Sequence, residues 1–181
     1  MKFEDNTWTP GTSGVYTKDE NDTGWRAFGG YQFSQNTAIE VGYANFGEVS
    51  QNIAYTAPIA LAGTTLTGKY KADGFFGDIV GTMPLSEQFA LLGRIGAMYS
   101  TMKATASSNN AAVTAFLAAR GIDMNPEHSE WNGRLGIGAQ FNFSKSVGAR
   151  IEWERTYRIG DKNKTGEGDV DFLSIGLQVK F

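Results

Sequence analysis

The sequence contains no cysteine, one histidine and only 4 prolines among 181 residues. Without cysteine the chain forms neither disulfides nor thiolate metal sites, and its redox compartment stays undetermined. Long hydrophobic runs are also missing: the longest, residues 111–119, is interrupted by Thr114 and is far shorter than the roughly 20 residues of a membrane-spanning helix. The first residues are polar and acidic, without the apolar region of a signal peptide. For an exported protein, we therefore expect a mature chain with an added initiator methionine.

The sequence also lacks a strong excess of either sign of charge. The formal net charge is -3 and the basic residues are scattered singly, which excludes a nucleic-acid partner. Glycine, in contrast, is abundant at 23 residues, and aromatic residues make up 13% of the chain. With little helical pattern, this composition indicates an all-β fold. Glycines inside strands weaken most sheets, but they leave room for large side chains on the curved wall of a small barrel.

Strict alternation of apolar and polar residues predicts the strands, because successive side chains of a strand point to opposite faces. Leu173 to Phe181 is the clearest case, since every second residue is large and apolar. An eighth, weak strand is predicted at 8–17, where Pro10 interrupts the pattern. The seven clear predicted strands are 25–33, 38–46, 71–83, 89–102, 131–143, 147–159 and 173–181.

The connections between these strands alternate in length. Short turns are predicted at 34–37, 84–88 and 144–146, and longer polar loops at 18–24, 47–70, 103–130 and 160–170. Short turns on one rim and long loops on the other are typical of outer-membrane barrels, in which the turns are periplasmic and the four longer loops extracellular. Residues 111–120 could form one or two helical turns, or they could equally be disordered.

The faces opposite the apolar stripes carry charges of both signs. In a soluble sandwich or lipocalin-like barrel these charges would face water, whereas in a membrane barrel they would pack inside and neutralise one another. Aromatic residues at strand ends favour the membrane barrel, because they form girdles at the two interfaces. The predicted girdle is Trp25, Tyr31, Tyr43, Trp131, Phe141, Trp153 and Tyr157. The inward-facing charges are Arg26, Glu40, Asp78, Arg94, Arg134, Arg150, Glu152, Glu154, Arg158 and Lys180.

Short stretches in a fixed order resemble the N-terminal membrane domain of the outer membrane protein A family: 5–8, 27–32, 40–43, 94–98, 150–153, 159–160, 173–176 and 180–181. The resemblance implies one domain over residues 1–181, an eight-stranded antiparallel up-and-down transmembrane β-barrel in the bacterial outer membrane. It also implies a lumen filled by ion pairs, with Glu40 and Arg150 as a gate pair and Arg94 beside them. The periplasmic peptidoglycan-binding domain of the family is missing, so we expect an excised domain or a stand-alone barrel.

The chain departs from the family pattern inside the lumen. A family lysine falls at Val80 and a family glutamate at Gln140, whereas Asp78 and Arg134 are additional charges. We therefore expect a rewired network that includes Glu152. The Glu40–Arg150 pair could gate the lumen, but a structural role is the favoured interpretation, because the interior of eight strands is just wide enough for side chains.

Other candidate sites are weaker. His128 is predicted in a polar loop beside Ser129 and Glu130. A Ser-His-acid site needs a base held by a third group at hydrogen-bond distance, and a loop histidine next to a serine is more often a solvated surface residue. Glu152 and Glu154 could act as an acid and base pair, but Arg150 and Arg158 favour ion pairing. Asp161 and the carboxylates at 169–171 lack regular calcium-ligand spacing. We therefore expect no enzyme activity, no metal and no cofactor.

The predicted function is structural support of the outer membrane together with surface contact, such as adhesion or phage or host binding, through loop tips at 63–68 and 107–110. The lumen would be at most weakly pore-forming. The predicted partners are outer-membrane lipid, lipopolysaccharide and the assembly machinery, which would read Phe181 on the last strand. The alternative is a channel for small or hydrophobic solutes, and a barrel enzyme or a soluble ligand-binding barrel ranks lower.

Overall fold

A computed structural model describes residues 13–19, 22–57 and 63–181. Apart from one helix, the regular structure in these ranges is β, and every strand pair is antiparallel. The seven strands predicted from alternation are all present, because alternating side chains place the apolar and the polar residues of a strand on opposite faces. The elements are β1 (Ser13–Asp19), β2 (Trp25–Ser34), β3 (Thr37–Ala57), β4 (Thr65–Pro84), β5 (Phe89–Ser108), α1 (Ala111–Ala119), β6 (Glu127–Asn142), β7 (Val147–Asp161) and β8 (Gly166–Val179).

The sheet follows an up-and-down order from β3 to β8, with each strand beside the next. β2 pairs with the first half of β3, from Ser34↔Thr37 to Trp25↔Asn45. β1 pairs with the second half of β3, from Asp19↔Ser50 to Ser13↔Ala57. β1 and β2 therefore lie end to end, and the sheet is seven strands wide over the described residues.

The predicted eighth strand at 8–17 falls partly outside the described residues, since nothing is described before Ser13. Its remaining part belongs to β1, which pairs with β3 rather than beside β8. Within the described ranges, β8 is hydrogen-bonded to β7 alone. The eight-stranded closure predicted from sequence is therefore not reached by the strands described.

The strands are much longer than predicted, and the predicted loops are correspondingly shorter. β3 has 21 residues and β4 and β5 have 20 each, about twice the 9–11 residues that cross a bilayer as a tilted strand. Most of the predicted loops at 47–70 and 160–170 is strand, and only 162–165 separates β7 from β8. In the predicted loop at 103–130, residues 103–108 and 127–130 are strand. α1 lies in the β5–β6 connection, where a helical turn was one of two options.

The sheet curls so that distant strands meet across its inner face. Phe46 on β3 and Phe172 on β8 have ring centroids 5.5 Å apart, and Arg26 on β2 pairs with Glu152 and Glu154 on β7. Curling of this kind buries inward side chains of β3 to β7, whereas the inward residues of β2 and most of those of β8 are only partly covered or exposed. Met98 on the inner face is fully buried.

The outer face is apolar and exposed. Ile175 is 83% exposed and Trp131 72% exposed, which is the reverse of a sheet that buries its apolar side against protein. We call this surface the apolar belt: the outward side chains of residues 25–33, 39–43, 75–83, 89–99, 131–143, 147–153 and 173–181. Among the described residues, no helix is long and apolar enough to cross a membrane.

A bulge in β7 changes which side chains point inward near its end. The register shifts between Thr156 and Ile159, and Arg158 adopts a positive φ of 57°, a conformation uncommon for a residue with a side chain. Ile159 consequently points inward and is fully buried. Arg158 points outward, with its side chain 72% exposed and paired with Glu167. The prediction that Arg158 faces the lumen is therefore wrong.

Candidate functional site

Eight charged side chains meet inside the curled sheet, and we call them the lumen network. All are buried or nearly so, with exposed side-chain fractions of 8% or less. Four are arginines and four are carboxylates, so their formal charges cancel. The members, which come from β2 through β7, are Arg26, Glu40, Asp78, Arg94, Arg134, Arg150, Glu152 and Glu154.

Arg94 is the centre of the lumen network, because its guanidinium contacts all four carboxylates. Its Nη1 lies 3.0 Å from Asp78 Oδ2 and 2.9 Å from Glu154 Oε1. Its Nη2 lies 3.2 Å from Glu40 Oε2 and also contacts Glu152. A planar guanidinium with several donors suits such shared contacts better than a lysine ammonium does.

The predicted pair of Glu40 and Arg150 is in contact. Arg150 Nη1 donates to Glu40 Oε1 at 2.7 Å, and Arg150 Nε donates to Gln140 Oε1 at 3.1 Å. Gln140, where the family pattern has a glutamate, thus acts as a neutral acceptor for Arg150. Because Glu40 also binds Arg94, it is shared by two arginines rather than held in one isolated pair.

Arg134 and Asp78, the additional charges, join the same cluster. Arg134 Nη2 donates to Glu154 Oε2 at 2.7 Å, and its Nε lies 3.4 Å from Asp78 Oδ1. The Arg134 guanidinium also lies 4.2 Å from the centroid of the Phe76 ring, a favourable cation–π arrangement. Arg134 Nε and Nη1 and Asp78 Oδ1 have no hydrogen-bond partner among the described residues.

All six predicted lumen residues therefore lie together, but two members were not among the candidate residues. Arg26 bridges Glu152 and Glu154 from the far side of the curled sheet. Glu154 contacts Arg26, Arg94 and Arg134. Alternation had placed both on the inner face, which was the available signal. Arg26 lies 126 positions from Glu152 and 128 positions from Glu154 in sequence, and nothing in the local pattern reveals such pairing.

Buried apolar side chains lie on both sides of the lumen network. Toward the long strand ends, Ala44, Phe76 and Met98 form one buried cluster, with Phe28 and Phe46 packed against it. A second cluster farther outward consists of Ala72, Met102, Ile159 and Val170. Toward the short turns, Val80 is fully buried and Leu92 is 5% exposed. A charge-neutral layer between apolar layers can hold its ion pairs away from water, but it offers little room for solute.

The predicted girdle residues lie at both edges of the apolar belt. Direct cross-strand pairing places Tyr43, Phe75, Tyr99 and Trp131 in one row on four adjacent strands, and Trp25 lies 5.7 Å from Tyr43. At the short-turn edge, Phe141 contacts Phe89 and Phe143, and Tyr31 is 75% exposed. Trp153 pairs with Leu173, and Tyr157 follows two residues later on β7.

Beyond the apolar belt, the strand extensions carry exposed ion pairs. Glu48 accepts from Lys69 at 2.7 Å and lies 3.1 Å from Lys71. These hydrogen bonds, first from Lys69 and then from Lys71, hold the pKa of the Glu48 carboxyl below its ordinary value. Asp22 accepts the backbone N–H groups of Glu48 and Thr23, which lower its pKa in the same way. These contacts fasten the extensions to one another.

The weaker candidate residues are not brought together. His128 lies in β6 rather than in a loop, and its Nε2 is 3.8 Å from Glu130. The Ser129 hydroxyl instead bonds the Thr101 hydroxyl at 2.8 Å. In the described part of the chain, no group of three or more His, Asp or Glu side chains could share a metal ion. Lys180 is half-buried near Asn142, and Phe181 is fully exposed.

Comparison with known proteins gives one family model and several relatives. The model described as "OmpA-like transmembrane domain" matches residues 2–181. Outer membrane protein A of Escherichia fergusonii is 25% identical over 198 residues, which cover 98% of this chain and 49% of the relative. Outer membrane protein A of Shigella flexneri is 24% identical, with the same two coverages of 98% and 49%. The chain thus spans about half the length of these relatives.

A solved structure is also similar. It is the crystal structure of Ail, the attachment invasion locus protein of Yersinia pestis, with a TM-score of 0.41 and 15% identity. The match covers 96% of this chain and 100% of the other.

Proposed function

Since the chain belongs to the family of OmpA-like transmembrane domains and lies in the bacterial outer membrane, we propose that it is a single closed barrel of eight strands with a sealed lumen and a structural, non-enzymatic role. The short turns would face the periplasm, and the strand extensions beyond the apolar belt would face outward and contact other surfaces. Lipopolysaccharide and outer-membrane lipid would surround the belt. The aromatic residues at its two edges would anchor the barrel at the interfaces.

The lumen network is the observation that carries the sealed-lumen proposal. An open pore keeps its inward charges hydrated, whereas these eight side chains are almost completely removed from solvent and balance one another. Removing one charge from water costs about several kcal/mol, and only close pairing with an opposite charge offsets this cost. Ion-paired side chains that fill the lumen in this way leave little space through which a solute could pass.

Single-channel recording of the refolded protein in a planar lipid bilayer tests the sealed lumen. We expect no steady conductance steps at neutral pH, and no uptake of small sugars in proteoliposome swelling. Long-lived steps in the unmodified protein would overturn the proposal and favour the small-solute channel instead.

The Glu40–Arg150 pair is proposed to pack the lumen rather than to gate it. In Glu40→Gln, Arg94 would keep Asp78, Glu152 and Glu154 as partners, and the Met98 and Met102 clusters would still close the outward side. We therefore expect the conductance of this variant to stay at the level of the unmodified protein. New conductance steps in Glu40→Gln, with unchanged heat-modifiable mobility on gels, would instead identify the pair as a gate.

A further inference from the structure

α1 is a short apolar helix whose side chains are exposed or only partly buried. Of its nine residues, Thr114 alone is polar, and its hydroxyl donates to the Asn110 carbonyl at 3.3 Å. None of the nine is buried, and Phe116 is 56% exposed. A helix that is apolar all round is normally covered by protein or by lipid. The sequence around it carries no charge from residue 104 to residue 119.

The helix stands well outside the membrane that holds the apolar belt. Ser108 at the end of β5 is nine residues beyond Tyr99, which is about 30 Å along the strand at roughly 3.3 Å per residue. With a strand tilt of about 45°, this places the start of α1 some 20 Å above the aromatic row. The lipid of its own bilayer is therefore out of reach, and the described part of the chain leaves all nine residues of α1 without full cover.

The backbone ends of α1 already have partners within the chain. At the start, Asn110 Oδ1 accepts from the N–H of Ala112 at 3.0 Å. At the end, Gly121 takes a positive φ of 68°, and Arg120, Gly121 and Ile122 donate to the last carbonyls of the helix. This closure suits an apolar medium, in which unpaired backbone groups are costly. Asn109 and Asn110 fasten the helix to Gly63, Thr64 and Thr65 of the neighbouring hairpin.

We propose that α1 docks into the outer leaflet of an apposed lipid bilayer, such as that of another cell or vesicle. The exposed side of the helix is formed by alanines and Phe116, and at 100° per residue it covers more than half of the circumference. A protein groove typically covers a narrower apolar stripe, whereas lipid surrounds an inserted helix. The helix is about 13 Å long, and because residues at both of its ends are hydrogen-bonded to the strand extensions, it would lie along the surface of the leaflet with its exposed side against the acyl chains.

Arg120 supplies the charge complementarity. Its guanidinium lies 4.7 Å from the Phe116 ring centroid at the end of the helix. A cation beside an inserted aromatic ring can remain at the level of anionic headgroups while the ring enters the apolar layer. We therefore expect docking to be stronger on vesicles that contain phosphatidylserine than on phosphatidylcholine alone.

Flotation tests this docking with the whole protein held in nanodiscs, so that its own belt is already covered. Discs that carry the protein should float with phosphatidylcholine–phosphatidylserine vesicles, and Phe116→Asp with Ala112→Asp, both on the exposed side, should reduce the floated fraction at least tenfold. The matched control, Asn163→Asp with Lys164→Gln, changes the net charge equally at the exposed β7–β8 tip and should float normally. Equal loss in both variants, or no flotation of the unmodified protein, would overturn the proposal.

A fluorescent label shows directly whether the helix meets lipid. Because the chain lacks cysteine, Ala115→Cys and Asn163→Cys each carry one environment-sensitive dye. Added vesicles should shift the emission to the blue at position 115 and leave position 163 unchanged. Association of discs without vesicles, abolished by the Phe116 and Ala112 changes, would overturn lipid docking in favour of self-association. The proposal rests on the surface-contact role, and because bilayer conductance is not involved, its failure is distinguishable from failure of the sealed lumen.

Discussion

Arg94 is the residue on which the lumen network depends most. Its guanidinium contacts Glu40, Asp78, Glu152 and Glu154 while its side chain is 1% exposed. In Arg94→Met, four buried carboxylates would share three arginines. Because removing one partner leaves charge buried without compensation, we expect a loss of unfolding free energy of about 3–5 kcal/mol. Urea unfolding of the barrel in lipid vesicles, read by gel mobility without heating, measures it.

Arg158 provides the control for this substitution. Its side chain is largely exposed and pairs with Glu167 at 3.2 Å, so Arg158→Met should cost at most about 1 kcal/mol. Arg94→Lys, which keeps the charge and loses the planar fork of donors, should fall between the two. A loss in Arg94→Met no greater than that in Arg158→Met would contradict a stabilising role of the network.

The alternation of the sequence predicts the face of most charged residues correctly, but not that of Arg158. Alternation placed Glu40, Asp78, Arg94, Arg134, Arg150 and Glu152 on one face, and the structure brings them into one cluster. The same alternation misplaced Arg158, because the bulge that reverses the faces near the end of β7 depends on pairing with β8. A period-two pattern predicts a face, but a one-residue insertion in a strand is not visible in it.

At the scale of the element, inward-facing glycines leave the space that the backbone and side chains of the neighbouring strand occupy. A Cβ on the inward Gly96 of β5 would lie 2.1 Å from the Gly77 carbonyl oxygen and 2.2 Å from Asp78 Oδ1. Gly93 on the same strand faces outward and has no atom within 4 Å of an added Cβ. We expect Gly96→Ala to destabilise the barrel by about 1–3 kcal/mol, and Gly93→Ala to change it by less than about 0.5 kcal/mol. Chemical unfolding of both variants in the same lipid would show whether they differ.

The outward halves of the strands were mistaken for loops for a physical reason. Residues such as Thr65, Thr67 and Lys69 of β4 lie beyond the apolar belt and show weak apolar alternation. They form strand nevertheless through cross-strand contacts, for example Thr67 Oγ1 donating to Asn52 Oδ1 at 2.7 Å. Strand propensity depends on such neighbours more than on the residue itself, so local sequence underestimates these extensions.

For the whole molecule, the inversion of burial is the property that sequence predicted best. Every second residue of the belt strands is apolar, and these side chains are exposed while the charged face is buried. That choice required the additional observation that both signs of charge share one face, since alternation alone suits a sandwich equally well. The proposed closure of the barrel depends on the first strand, whose glycines and proline give a weak pattern. Half of its predicted residues, 8–12, lie outside the described part of the chain.

Substitution of Phe181 tests whether this residue is an assembly signal for the whole molecule. It follows β8 on the apolar side and is fully exposed, so Phe181→Ala removes no packing contact from the folded barrel. We therefore expect refolding in detergent to be unchanged. If the outer-membrane assembly machinery reads this aromatic residue, as proposed from the family resemblance, the folded amount in cells should fall several-fold. Val179→Ala, two residues earlier on the same face and 56% exposed, is the matched control and should affect neither measurement. Equal effects of Phe181→Ala in cells and in detergent would instead make the ring an interface anchor alone.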